Sequence, residues 1–351
     1  MKRKFGLITL WIALLVISAC GQDNNKNTPP VESPPVVVES TPEPTPALYE
    51  HYALLSGHGM LEPNQARPVA VLINNLAPAR PQSGLTEADV IWEVLAEGGI
   101  TRLVAIFQSA SEADFDIGPV RSNRPYFIRL ADTYGAIIAH AGASNDAYAI
   151  LQRQNKPYLD EIKNAGAYYW RSSERKAPHN LYTNLGKLRE GASKKGYAEE
   201  AAIQGYRFMS EMEAEEIPVG SIKQLEVQFQ LKNYRVGYQF DESERVYLRS
   251  INDEPHIDKN NEKQLFASNL IFMQTAHQVL DSEGRLSVNL ESGGDALVIQ
   301  NGLAVEGSWI LAQDGMIRFM KDGTEIKLLP GKSIIHILPE GKAITEHAVW
   351  E

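Results

Sequence analysis

The sequence predicts an α/β (α+β) N-terminal domain with a mixed sheet, followed by a mostly antiparallel β domain. Three observations carry this expectation. Short apolar runs such as Val69 to Ile73 and Ala136 to Ala139 alternate with helically spaced stretches up to about residue 195. After Pro218 the texture changes to recurring strand-like runs between Leu225 and Leu338. These runs are separated by Ser292-Gly-Gly-Asp, Asn301-Gly, Asp314-Gly and Asp322-Gly, which mark hairpins.

Lys2, Arg3 and Lys4 precede an apolar run from Phe5 to Ile17 and then Ser18-Ala19-Cys20-Gly21, the pattern of a secretory signal over residues 1–19. The run is too short for a comfortable transmembrane helix. Cys20 is the sole cysteine, so no intrachain disulfide forms. Removing residues 1–19 leaves 31 basic and 44 acidic side chains, a formal charge of −13 against −10 for the whole chain. An acidic chain is a poor binder of phosphate backbones, so no nucleic acid is expected as a partner. Residues 20–47, rich in Pro, Glu, Ser and Thr, read as a stiff spacer. The remaining sequence divides into an α/β domain (48–197), an acidic connector (198–217) holding Glu211, Glu213, Glu215 and Glu216, a mostly β domain (218–341) and a tail (342–351).

Val69 to Ile73 is a buried strand ending in Asn74-Asn75, followed by the loop Arg80-Pro-Gln-Ser-Gly84. Asn75, Arg80 and Gln82 therefore emerge at a strand end, where α/β sheets place ligand contacts. Gly98-Gly99 joins Asp89 to Glu97 with Ile100 to Phe107 as a two-residue hairpin. That register pairs Leu95 with Arg102 and Glu93 with Val104. It sets Glu93 and Glu97 diagonally beside Arg102, with Trp92 and Val94 on the opposite face. Two such carboxylates serve either acid–base chemistry or a charge cluster.

Gly118-Pro-Val-Arg-Ser-Asn-Arg124 holds two guanidinium groups three residues apart at the start of a helix from about Pro125 to Tyr134, capped by Ser122 or Asn123. Arg121 and Arg124 beside a helix N-terminus suit a carboxylate or phosphate, or else pair with the chain's own acids. His140 closes the next strand before the small-residue turn Ala141-Gly-Ala143 and faces either a cleft or the core. Ser144 caps the helix from Asn145 to Arg153. Ala177-Pro-His-Asn180 presents His179 and Asn180, and a helix capped by Thr183 runs from Asn184 to Lys195. In the second half His256-Ile-Asp258 places two metal-ligand types together without a third, so a local His–Asp hydrogen bond is expected and no metal. Neither a nucleophile elbow nor a His-Glu-x-x-His motif occurs, and no cofactor is expected.

Arg67-Pro-Val-Ala-Val, Asn74-Asn75, Arg80-Pro-Gln-Ser-Gly84, Glu97-Gly-Gly-Ile-Thr-Arg102, Gly118-Pro-Val-Arg-Ser122, His140-Ala-Gly142 and Ala177-Pro-His-Asn-Leu-Tyr-Thr183 occur in this order. Together they resemble the YerB-like lipoproteins, bacterial envelope proteins with paired domains of unknown function. The resemblance spans nearly all of residues 50–341. Ser122-Asn123-Arg124 stands where that pattern has an Arg-Asp or similar pair. Ile17-Ser18-Ala19-Cys20 likewise resembles a bacterial lipobox, which implies cleavage before Cys20, lipidation of its sulfur and a tether on the extracytoplasmic face of the membrane. The family supplies no active site.

The functional expectation is an envelope protein whose first domain binds an anionic ligand, a wall fragment or a phosphate-bearing glycan. Its cleft would be lined by Asn75, Arg80, Arg102, Arg121, Arg124, His140, His179 and Asn180. One alternative is an enzyme on a wall polymer using Glu93 or Glu97 with His140. Another is an assembly factor that contacts an envelope protein through the β domain.

Overall fold

The computed structural model describes residues 49–110 and 113–351. The signal, Cys20 and the spacer lie outside the described residues. Strand β1 (Val69–Asn74) is buried along its whole length, as are β2 (Val90–Leu95) and β3 (Thr101–Phe107). Unbroken apolar runs of this kind belong to strands covered on both faces. β4 (Ile137–His140) and β5 (Tyr158–Asp160) extend the sheet in parallel beyond β1. Helix α1 (Pro125–Thr133) begins with proline at its first position, and its N-cap is Arg124 with no side-chain bond, so neither Ser122 nor Asn123 caps it. Ser144 does cap α2 (Asn145–Arg153), accepting from the Ala147 N–H. Asn184, not Thr183, caps α3 (Leu185–Lys194). Ser210 and Glu213 form a capping box on α4 (Glu211–Glu216), so the acidic connector contains one ordered turn of helix.

The second half supplies β6 (Gln224–Gln228), β7 (Arg235–Asp241), β8 (Val246–Ile251), β9 (Glu254–Pro255) and β10 (Phe266–Ala267). Then come β11 (Asn269–Thr275), β12 (Gly294–Gln300), β13 (Leu303–Leu311), β14 (Ile317–Lys321), β15 (Thr324–Glu325) and β16 (Ser333–Pro339). Helix α5 (Ile344–His347) and β17 (Ala348–Trp350) end the chain. Residues 342–351 are therefore not a tail: Ala348 is buried and β17 pairs with β6.

An eleven-stranded sheet runs β15-β14-β13-β12-β11-β16-β2-β3-β1-β4-β5 through both halves of the sequence. β16 joins them, parallel to β11 on one side and to β2 on the other. A smaller antiparallel sheet, β9-β8-β7-β6-β17 with β10 beside β8, covers part of one face. Its strands alternate buried and partly exposed residues, as expected of a sheet with one wet face. One core lies between the sheets and under α3, and holds Leu103, Val227, Val236, Phe272 and Leu188. The other lies under α1 and α2 and holds Trp92, Val104, Phe127, Leu130 and Leu151. Among the described residues no helix is long and apolar enough to cross a membrane.

The hairpin register differs from the expected one. Ala96 N–H bonds to Ile100 O (2.7 Å) around a short 3-10 turn, Glu97–Gly99, so three residues rather than two make the loop. Glu93 then pairs with Leu103 and Val94 with Arg102. A slip of one residue moves every side chain to the other face. Arg102 thus joins Trp92 and Val94 on the helix side, while Glu93 turns toward the smaller sheet.

Candidate functional site: an arginine rim at the strand ends

The segment 118–124 is threaded beside the end of β1. Asn74 N–H bonds to Pro119 O (2.9 Å), Arg121 N–H to Leu72 O (2.8 Å), Ala141 N–H to Arg121 O (3.0 Å) and Val120 N–H to Leu181 O (2.7 Å). Gly118 permits this approach: its φ is +153° and a Cβ there would lie 2.7 Å from Leu181 O. Backbone bonds on both sides of Arg121 therefore fix where its side chain starts. The bonds Arg80–Pro81, Gly118–Pro119 and Ala177–Pro178 are cis.

Arg102, Arg121 and Arg124 converge here with one carboxylate, Glu97. Arg102 is buried, donates from Nη1 to Ser122 O (2.6 Å), lies 3.7 Å from Glu97 Oε2 and sits over the Phe127 ring at 5.3 Å. Arg124 pairs with Glu97 through Nε and donates from Nη1 to Asn123 O (2.6 Å). Arg121, half-buried, makes no side-chain hydrogen bond or ion pair among the described residues. Burial, with the charges of Arg124 and Arg121 against those of Tyr126 and Glu97, pushes the Arg102 guanidinium down to about 10. Burial and Arg124 lower Arg121. Glu97 is held below the usual carboxylate range: burial opposes this, but the Arg124 hydrogen bond and charge, with Arg102, prevail. His179 completes the rim. Its Nδ1 accepts from Asn74 Nδ2 (2.8 Å), which assigns the ring hydrogen to Nε2. Burial and the charges of Arg121 and Arg175 lower its pKa, so at neutral pH it is an uncharged donor.

On the other side of β2 lies a buried polar network. Glu93 Oε1 accepts from Tyr234 Oη (2.5 Å), Thr101 Oγ1 (2.7 Å) and Asn75 Nδ2 (3.2 Å), and Oε2 accepts from Arg249 Nη2 (2.8 Å). His336 Nδ1 is 3.2 Å from Oε2, without hydrogen-bond alignment. Arg249 continues to Tyr238 Oη (2.5 Å) and, through Nε, to His256 Nδ1 (3.0 Å). His256 Nε2 therefore carries the hydrogen and donates it to Gln82 Oε1 (2.7 Å). Burial alone would raise Glu93, but Arg249, His336 and Tyr234 hold it well below the carboxylate range. Burial, then Arg249, pushes His256 far down; burial also lowers His336.

The pH dependence follows in sign. Both histidines refuse protons in the fold that the unfolded chain accepts, so stability declines as pH falls through the ordinary histidine range, about 7 to 5.5. Glu93, depressed in the fold, adds a further loss as pH falls below the ordinary carboxylate range of about 4.3. Urea midpoints measured from pH 8 to 5 are expected to fall, and His256→Gln to flatten that slope. An unchanged slope in His256→Gln would remove His256 from this account.

The remaining expected residues are dispersed. His140 is fully buried; its Nδ1 lies 3.0 Å from Gly142 O and 3.6 Å from Asp160 Oδ1, and its ring stacks on Tyr158. It faces the core because Tyr158, on the neighbouring strand, covers it. Asn180 is satisfied within its loop by Arg171 Nη1 (3.1 Å) and Ser172 O (3.0 Å). Asn75 belongs to the Glu93 network. Arg80 lies on that same side, 5.5 Å over the Tyr234 ring. Glu93 and His140 have no partner in common. The expected His256–Asp258 hydrogen bond is absent: Asp258 instead accepts from the N–H groups of Gly84 (3.1 Å) and Thr86 (2.9 Å), because both side chains reach the 82–86 loop. Among the described residues no group of three or more His, Cys, Asp or Glu is placed to hold a metal ion.

Sequence reasoning missed Arg249, Tyr234 and His336. A signal existed for two of them. Arg249 occupies the inward phase of an alternating strand between Tyr247 and Ile251, and His336 interrupts the apolar run Ser333–Pro339. A charged or titratable group inside a buried strand requires a partner.

Family models match both halves. Residues 55–198 match the N-terminal domain, and residues 225–335 the C-terminal domain, of the family described as protein of unknown function (DUF3048). The chain belongs to this family. The Bacillus subtilis protein named "Putative lipoprotein YerB" is 34% identical over 278 residues, which cover 79% of this chain and 82% of that protein. The crystal structure of YerB protein from Bacillus subtilis matches with a TM-score of 0.78 at 33% identity, over 86% of this chain and 100% of that one. The resemblance read from the ordered motifs is thereby established, as is the α/β part with a mixed sheet followed by a mostly antiparallel β part.

Proposed function

We propose that this chain is an envelope lipoprotein, anchored through Cys20 on the extracytoplasmic face, which binds an anionic ligand on the arginine rim. The observation that carries the proposal is the charge balance. Three guanidinium groups share one carboxylate, Glu97, and the one with no partner among the described residues, Arg121, is half-buried beside His179. Half-buried cations that repel one another are stabilised by an anion, and guanidinium forks match carboxylate and phosphate geometry. His179 Nε2–H adds a neutral donor. A wall fragment or phosphate-bearing glycan suits both the charge and the location that the lipobox and the relative's name suggest. Acid–base catalysis by Glu93 or Glu97 with His140 has no support in their placement: Glu97 is paired with Arg102 and Arg124, and His140 is buried beside Asp160 and Tyr158.

The test is isothermal titration of the full chain with phosphate-bearing glycan fragments. Arg121→Ala is expected to weaken binding about 10- to 100-fold, the effect of losing a charge-assisted hydrogen bond, with no fall in unfolding midpoint. Equal affinity of wild type and variant would overturn the reading.

A further inference from the structure

A second cleft, of about 360 Å³, is lined in part by Ile100 and Thr101, which follow the turn Glu97–Gly99. Most of its exposed lining is apolar, from Leu76, Ile100, Leu231 and the Tyr234 ring, and Arg80, Asn233 and Asn252 line it too. Gly99 keeps one wall close: its φ is +72°, and a Cβ there would be 3.0 Å from Gln230 Oε1 and 3.3 Å from Leu231 Cδ2.

Arg80 is positioned but unsatisfied. It ends the short turn Ala77–Ala79, and its guanidinium carbon lies 5.5 Å from the Tyr234 ring centroid. The side chain has no hydrogen bond or ion pair among the described residues, and its Nε is shielded from water without a partner. Among the described residues, the carboxylate that acts on Arg80 is Glu93. That carboxylate is already engaged by Arg249, Thr101, Tyr234 and Asn75. The Tyr234 hydroxyl also points into that network, and its ring lines the cleft beside Arg80. A buried polar atom without a partner costs stability, so the site favours a ligand that brings an acceptor.

We infer that this cleft is a second ligand site, for a carboxylate carried on an apolar body. A single guanidinium over apolar walls balances one negative charge. A carboxylate matches the fork in two parallel bonds and is less strongly hydrated than a doubly charged phosphate. The apolar body would cover Leu76, Ile100 and Leu231, and the cleft volume is at the small end of ligand pockets, which start at about 300 Å³. This inference does not depend on the rim: its cation, walls and partners are different residues. A peptide ending in an apolar residue and a short aliphatic acid share the required chemistry.

The experiment titrates the full chain, by calorimetry and by amide NMR, with N-acetyl-leucine, its uncharged amide, hexanoate, acetate and inorganic phosphate. At the cleft, read from the amide shifts of Leu76, Ile100 and Leu231, N-acetyl-leucine or hexanoate is expected to bind with a dissociation constant on the order of 1 mM, and the amide, acetate and phosphate about tenfold or more weakly. Arg80→Ala is expected to weaken binding about tenfold, and Arg121→Ala to leave it unchanged. Ala77→Phe, at an exposed position lining the cleft, tests the same site without removing the charge and is expected to block binding. Tighter binding of N-acetyl-leucine than of hexanoate identifies a peptide C-terminus; the reverse identifies an aliphatic acid. The inference is overturned if the amide binds as well as the acid, if nothing saturates, or if Arg121→Ala rather than Arg80→Ala removes binding. In that last case the charge belongs to the rim, and the first proposal stands without this one.

Discussion

Arg249→Met is expected to cost about 3–5 kcal/mol of stability, the size measured when one member of a buried ion pair is removed. Arg249 and Glu93 are both almost fully shielded from water, 2.8 Å apart, on different sheets. Removing the guanidinium leaves Glu93 with Tyr234, Thr101 and Asn75, which donate hydrogen bonds but carry no charge, and with His336, whose burial opposes its charging. The carboxyl would then bind a proton near neutral pH or stay ionised at a high cost. Tyr238 and His256 also lose their bonds to Arg249. The double variant Glu93→Gln/Arg249→Met is expected to recover part of the loss, since no charge remains buried. Urea denaturation of the two single variants and the double variant completes the cycle. An Arg249→Met variant within about 1 kcal/mol of wild type would show that the pair behaves as a surface pair does and does not hold the sheets together. Hydrogen exchange gives an independent readout, with the amides of β6, β7 and β8 losing protection before those of β1, β2 and β3.

The parts of this fold that were legible in the sequence are those set by local chemistry. Val69 to Ile73 is apolar and β-branched and bounded by Pro68 and Asn74, and it could be little other than a buried strand. Ser144 and Pro125 mark helix starts by capping and by fixed φ. The hairpin register was not legible, for a physical reason. Both faces of β2 and β3 are buried, so Ile91, Leu95 and Leu103 on one side look as apolar as Trp92, Val94 and Val104 on the other. Alternation sets register only where one face is wet. With the register went the assignment of Arg102, and hence the grouping of the site. The expected cleft contained eight residues. The fold divides them between the rim (Arg102, Arg121, Arg124, His179), the Glu93 side (Asn75, Arg80) and other interior positions (His140, Asn180). Long-range partners were beyond reach too. Nothing in the apolar run of β16 says that it lies between β2 and β11, yet that placement brings His336 to Glu93.

Trp92→Ala is expected to reduce stability by about 3–5 kcal/mol, the cost of truncating a buried aromatic residue. Trp92 is fully shielded, at the centre of β2 on the helix side, between the strand pairings to β16 and β3. Its Nε1–H donates to Tyr134 Oη (2.9 Å), which in turn contacts Tyr206 Oη (2.7 Å), so the indole ties the sheet to the end of α1 and to the segment before α4. Trp92→Phe separates the two contributions. It keeps most of the apolar volume and leaves Tyr134 with Tyr206 alone, for a cost of about 1–3 kcal/mol from the lost buried hydrogen bond. Guanidinium unfolding followed by far-UV circular dichroism gives both values. If the alanine variant is no less stable than the phenylalanine variant, the cavity argument is wrong. The same pair of variants separates structure from binding. Arg102 shares the buried helix-side face of the hairpin with Trp92 and leans on Phe127 of α1, so a cavity beneath α1 loosens the rim's placement and its stability together. Arg121→Ala, which breaks no hydrogen bond or ion pair among the described residues, is expected to lower affinity without lowering stability. A Trp92→Ala variant that is destabilised yet binds the glycan as tightly as wild type would show that the rim keeps its geometry without the core beneath it, and that segment 118–124 holds the arginines by its backbone bonds alone.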